Sequence, residues 1–170
     1  MQTLDGYRST HSDRRRMIDD LRPLLTPDEL RIHPNARTAY HLLCDLDERV
    51  QSHLAEADCG LYPKLLIHND PKVKSIAWGF INGEGALRLT FENYYKKWLK
   101  YANFNFSDNF LAETHQVFEV IDQRLDREAA LLMPKLVEIG LLHQASLKPN
   151  RKHACWCAAE YGQQPIQGFG

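Results

Sequence analysis

Four side chains interrupt otherwise apolar seams with groups that can do chemistry: His11, His53, Glu84 and Glu128. Imidazole nitrogens and carboxylate oxygens are donors that iron, manganese and zinc all accept. A helical bundle can bring such donors from facing helices onto one ion. Without an ion the same groups need one another, because polar atoms buried in an apolar core are costly unless they are hydrogen-bonded. The set therefore has two readings, a single metal held by two histidines and two carboxylates, or a buried polar network.

Either reading requires four helices, and the apolar spacing supplies them. A first stretch from about Ser9 to Leu25 places Ile18, Leu21 and Leu25 on one face, with His11 seven residues before Ile18 on the same stripe. Pro23 ends or bends it. Thr26-Pro27-Asp28-Glu29 reads as a cap followed by proline at the first position of a short helical turn. A second helix, about Ala36 to Leu66, has the seam Leu43, Leu46, Val50, His53, Ala57 and Gly60 or Leu61. After the break Asn69-Asp70-Pro71, a third runs to about Tyr101 through Val73, Ala77, Phe80, Glu84, Leu87, Phe91, Tyr94, Trp98 and Tyr101. After Ser107, read as a cap, a fourth runs from Asp108 to Ile139 through Leu111, Thr114, Phe118, Ile121, Leu125, Glu128 and Leu132, and stops at Gly140.

Strand signals are poor, and short breaks between long helices favour antiparallel neighbours. The expectation is an all-α, antiparallel up-down-up-down four-helix bundle over residues 1–143, with residues 144–170 as a loosely ordered C-terminal tail apart from a docked stretch near Trp156. Counting outward from each turn puts the four polar residues at one height: His11 and His53 about 20 and 21 residues from the first turn, and His53 and Glu84 each about 15 from the second. Glu84 and Glu128 are about 21 and 23 residues from the third, a mismatch of a few ångströms at the helical rise.

The second and fourth helices also repeat. Residues 53–66 read HLAEADCGLYPKLL and residues 124–137 read RLDREAALLMPKLV, a period of 71 that ends in both copies at Pro-Lys-Leu. With His11 ahead of the first helical run, and the Leu61-Tyr62-Pro63 and Leu132-Met133-Pro134 ends, residues 5–142 resemble the hemerythrin-like (HHE cation-binding) domain family. The resemblance implies a bundle with a metal layer, iron first among the candidate ions. It also implies that the layer has been partly dismantled. Ala57 stands at the acid position of the second helix, Gly85 at a histidine position of the third, and Arg124 at the histidine position of the fourth. The matching residues are His11, His53 and Glu128, too few for a di-iron centre of the family's kind. Arg124 lies one turn from Glu128 and can pair with it, or with Glu84, in place of a metal's charge.

The remaining residues narrow the function. A net charge of −1 gives no reason to expect nucleic acid or an anionic membrane as partner. The run Arg14-Arg15-Arg16 has Asp13, Asp19 and Asp20 around it and reads as a solvated face. The first residues lack the apolar core of a secretory signal and no stretch is long enough to span a membrane, so the expected compartment is the cytoplasm, with Cys44, Cys59, Cys155 and Cys157 as free thiols. His153-Ala154-Cys155-Trp156-Cys157 lacks the second cysteine pair of a structural zinc site. Glu56 and Asp58 flank the vacant Ala57 position and face solvent, and His41 and His115 fall off the stripe. The aromatic run Tyr94, Tyr95, Trp98, Tyr101, Phe104 and Phe106 packs at a bundle end or offers rings to a partner. No nucleophile–base pair or phosphate loop is recognisable. The leading expectation is a non-enzymatic binding or regulatory protein with a protein partner. The alternative is a metal-binding sensor or storage protein.

Overall fold

The computed structural model describes residues 4–102, 104 and 106–143. The proposed tail from residue 144 on, with His153, Cys155, Trp156 and Cys157, lies outside the described residues. The described chain is helical, with α1 Leu4–Leu21, α2 Pro27–Arg31, α3 His33–Glu56, α4 Tyr62–Leu66, α5 Pro71–Tyr94, α6 Asp108–Arg127 and α7 Met133–Glu138. A 3-10 turn, Arg22–Leu24, follows α1 at Pro23. Single π-helical turns at Ala57–Leu61, Tyr95–Leu99 and Glu128–Leu132 extend α3 into α4, lengthen α5, and extend α6 into α7, giving four long helical segments. Among them α1 packs on α3 and α6, and α5 packs on α3, α4 and α6.

Local chemistry sets most boundaries. Thr26 Oγ1 accepts from the Glu29 amide at 3.2 Å and Asp70 Oδ1 from the Lys72 amide at 2.8 Å, so each cap satisfies a free helix-start donor. α7 ends in a Schellman arrangement: Gly140 takes φ 73°, its amide bonds Val137 O at 3.1 Å, and the Leu141 amide bonds Leu136 O at 2.9 Å. Ser107 occupies the N-cap position of α6, but its side chain makes no capping bond, and the Phe110 amide takes the Ser107 carbonyl instead. α1 starts at Leu4 rather than Ser9, because Leu4 and Tyr7 extend the buried stripe that continues at His11. α3 starts at His33, since Pro34 in a first turn lacks only an amide hydrogen that would be unpaired there anyway.

The π turns at Ala57–Leu61 and Glu128–Leu132 are 71 residues apart, at equivalent places in the repeat, and each precedes a proline at the second position of the next helix. Proline has no amide hydrogen and its ring crowds the carbonyl four residues back. Widening the preceding turn to i→i+5 relieves that crowding at Pro63 and Pro134. The extra residue also rotates whatever follows, which corrects the straight seams read from spacing. Past Ala57 the inward side chains are Tyr62 and Leu65, while Gly60 is exposed and Leu61 half-buried. Past Tyr95, Leu99 is buried to 1% exposure, Trp98 is half-buried, and Tyr101 is 74% exposed.

The apolar core comes in two parts with a polar layer between them. Along α1, Leu4 and Tyr7 belong to one cluster and Ile18 and Leu21 to the other, with His11 and Arg14 between. Along α5, Phe80 and Leu87 fall on either side of Glu84, and along the fourth segment Leu125 and Leu132 on either side of Glu128. Urea unfolding should find Leu99→Ala about 2–5 kcal/mol less stable than the unsubstituted chain and Tyr101→Ala within about 0.5 kcal/mol. A straight third seam would make Tyr101→Ala the costlier of the two.

Candidate functional site

Glu128, at the head of its π turn and 1% exposed, anchors the polar layer. Its Oε2 lies 2.8 Å from His11 Nε2 and 3.1 Å from His53 Nε2, and accepts from the Tyr7 hydroxyl at 3.3 Å. Its Oε1 accepts from Arg124 Nε at 2.6 Å, one turn back. Three of the long segments thus meet on one carboxylate, from α1, α3 and α6.

Arg124 ties in the fourth. Its Nη2 donates to the Tyr62 hydroxyl at 2.5 Å, its Nη1 to the Phe80 carbonyl at 3.3 Å, and its guanidinium lies over the Phe80 ring at 4.6 Å. The Glu84 Oε2 is 3.7 Å from Arg124 Nη2, an ion pair without a hydrogen bond. Glu84 Oε1 is claimed by Arg88, whose Nε and Nη2 approach to 3.2 and 2.7 Å, and Arg88 Nη2 also reaches Asp58 Oδ2 at 2.6 Å. Of the four residues singled out by spacing, His11, His53 and Glu128 converge, with ligand atoms all within 4.8 Å of one another. Glu84 does not join them, because a cation four residues along its own helix holds it on the other side of Arg124.

Buried Tyr7 and half-buried Arg88 each carry a sequence signal apart from the apolar stripe. Tyr7 sits four residues before His11 on the same face, and Arg88 sits four after Glu84, the spacing of a helical ion pair. The arginine run is not a uniform solvated face. Arg15 and Arg16 pair with Asp126 and Asp13 at the surface, but Arg14 is 7% exposed, because residues 11, 14 and 18 share the inward stripe. Glu56, Asp58 and His41 are exposed, His115 packs on the Phe118 ring, and none of these reaches the cluster. Cys44 and Cys59 are free thiols.

Burial opposes the charge on Glu128. Hydrogen bonds to His11 and His53, then the charges of His53 and Arg124, outweigh it and hold the carboxyl well below the usual carboxylate range. Glu84 moves the other way: burial raises it, only partly countered by Arg88. Burial, then the Glu128 charge, raises Tyr7, so its hydroxyl stays protonated and can donate.

No family model, curated protein or solved structure matches the chain. The chemistry of the site therefore rests on its own geometry, which fits two occupants. If each Nε2 carries a proton, both imidazoles donate to Oε2 and the layer is closed. If each Nε2 presents its lone pair, the three atoms form one face of a coordination shell around an ion about 2 Å from each. The positions that the resemblance assigns to further ligands hold no donor atom for a metal: Ala57 and Gly85 lack one, and Arg124 offers only N–H groups.

Folding lowers the Glu128 pKa, so its ionised form adds stability above about pH 4.3, the ordinary glutamate value, and that contribution is lost as pH falls toward the folded value. Glu128→Gln should therefore be about 3–5 kcal/mol less stable at neutral pH by urea unfolding. The gap should narrow below about pH 4, and a gap independent of pH contradicts the assignment.

Proposed function

We propose that the chain is a non-enzymatic binding or regulatory protein built on a degenerate hemerythrin-like bundle, whose former metal layer serves as a structural ion network. The observation that carries this reading is Arg124 Nε at 2.6 Å from Glu128 Oε1, a fixed cation where the resemblance places a ligand. Charge counting supports it. Asp58, Glu84 and Glu128 contribute −3 and Arg14, Arg88 and Arg124 contribute +3, leaving the layer neutral. A divalent ion with neutral imidazoles would turn that into +2 in a largely buried place, which is unfavourable.

In this reading the four segments run up-down-up-down and antiparallel, consistent with the short connection at residues 67–70 between α4 and α5 and with α1 lying against both α3 and α6. The outer surface meets a protein partner, and the exposed Trp78 on α5 is the kind of ring such contacts favour. No helix among the described residues is long and apolar enough to cross a membrane, and the cytoplasm remains the proposed compartment.

A second reading keeps the metal, because His11, His53 and Glu128 offer ligand atoms within 4.8 Å of one another. There the chain is a sensor or storage protein with a single iron, manganese or zinc. His11, His53 and Glu128 would hold the ion and Tyr7 would orient the shared carboxylate. Elemental analysis of protein purified without chelator separates the two. Well under one equivalent of iron, manganese and zinc is expected. Near-stoichiometric metal that disappears in His53→Ala establishes the second reading instead.

A further inference from the structure

The outer face of α5 carries no charge over most of its length, unlike those of its neighbours. α1, α3 and α6 have charges on their exposed sides, among them Arg8, Asp45 and Glu119. From Ser75 to Phe91, α5 has two ionisable side chains, Glu84 and Arg88, and these pair with each other at 2.7 Å. Ser75, Trp78, Asn82, Gly85, Leu89 and Glu92 are all exposed and alternate by three and four, the spacing of a coiled-coil seam. This seam lies opposite the buried one that α5 turns to its own bundle through Ala77, Phe80, Glu84 and Leu87. Trp78 is 53% and Leu89 59% exposed, so two large apolar side chains stand unpacked on it.

Two further features of this face have no use inside the bundle. Glycine within a helix is destabilising relative to alanine, yet Gly79 and Gly85 both lie here. Neither takes a positive φ, and a Cβ at either would meet no atom within 4 Å, so the chain's own packing does not require them. They leave room for another backbone to come close. Lys72 and Lys74 stand in the first turn, where cations oppose the helix dipole, and neither has an ion-pair partner among the described residues. At the other end of the seam Glu92 reaches Lys96 at 3.2 Å, and both are well exposed.

We propose that this face pairs two copies of the chain, α5 against α5, antiparallel about a two-fold axis. The seam is complementary to itself in that direction. About a midpoint between residues 83 and 84, Trp78 of one copy faces Leu89 of the other, Asn82 faces Gly85, and Ser75 faces Glu92. The indole packs on a branched chain at both ends, and glycine makes space for the asparagine amide at the centre, a polar residue of the kind that fixes register. Lys72 and Lys74 of each copy come to Glu92 of the other, so the charges at the two ends attract. A parallel pairing would set Lys74 on Lys74 and Glu92 on Glu92. The two-fold arrangement uses one patch twice and closes at two copies. It rests on the reading that the outer surface meets a protein partner, and names that partner as the chain itself.

Sedimentation of the full chain across about 1–300 µM tests it, because a contact along one helix is at the small end of specific interfaces and belongs in the micromolar range. A monomer–dimer equilibrium is expected. Trp78→Glu and Leu89→Lys, both at exposed positions, should each weaken it roughly tenfold or more with the helical circular dichroism unchanged. An equimolar mixture of the two variants should regain dimers, since the introduced acid of one copy then faces the introduced amine of the other while the remaining Trp78 and Leu89 still meet. A chain that stays monomeric overturns the inference and leaves a different protein as the partner. Dimers that survive both substitutions, or variants whose mixture stays monomeric, overturn it as well.

Discussion

An ionised carboxylate at 1% exposure needs its charge compensated by neighbouring donors, and Glu128 is placed where all of them must come from other parts of the chain or from its own helix one turn back. Taking such a charge out of water costs several kcal/mol, recovered only if each lone pair finds a donor in good geometry. His11, His53, Tyr7 and Arg124 supply those donors. Each of them fixes a segment: α1 through His11 and Tyr7, α3 through His53, α6 through Arg124, and α5 through the Phe80 carbonyl and Glu84 on the far side of Arg124. The layer therefore acts as a register pin. Apolar side chains on either side tolerate small slides, but a carboxylate with four assigned partners does not.

The π turns belong to the same constraint. A proline in each copy of the repeat prevents an ordinary turn before it, and the widened turn carries Ala57 in one copy and Glu128 in the other at its first position. The copies differ in complementary ways. The earlier one has the imidazole of His53 and an alanine at Ala57, while the later one has the guanidinium of Arg124 and the acid of Glu128 at the same two places. The histidine of one copy and the carboxylate of the other make a pair between two helical segments. The cation and anion at positions 124 and 128 make a pair within one helix.

Much of this was legible in the residues. Helical periodicity, Thr26, Asp70 and Gly140 marked elements and their ends, and equal distance from the turns brought His11, His53 and Glu128 to one height. Three things were not. Straight 3.6-residue seams cannot show where a π turn adds a residue, so Trp98 and Tyr101 were read inward and Leu99 was not. Height along an axis does not settle which neighbour a carboxylate chooses, and Arg88, four residues away, took Glu84 out of the cluster. Charge type alone misplaced Arg14, since surrounding aspartates said solvent while its position on the stripe of His11 and Ile18 said interior. In each case side-chain competition or a backbone irregularity decided, and neither is carried by residue type and spacing alone.

The most direct test of the pinned layer is a double-mutant cycle on the ion pair at its centre, with Arg124→Leu, Glu128→Leu and the double substitution compared by chemical unfolding of metal-free protein. Each single change should be strongly destabilising, because it strands the opposite charge, and the double change should recover a large part of the loss, giving a coupling of about 2–3 kcal/mol. Losses that simply add, within about 0.5 kcal/mol, would mean that Arg124 does not hold Glu128 and that the layer is not the anchor of the fold.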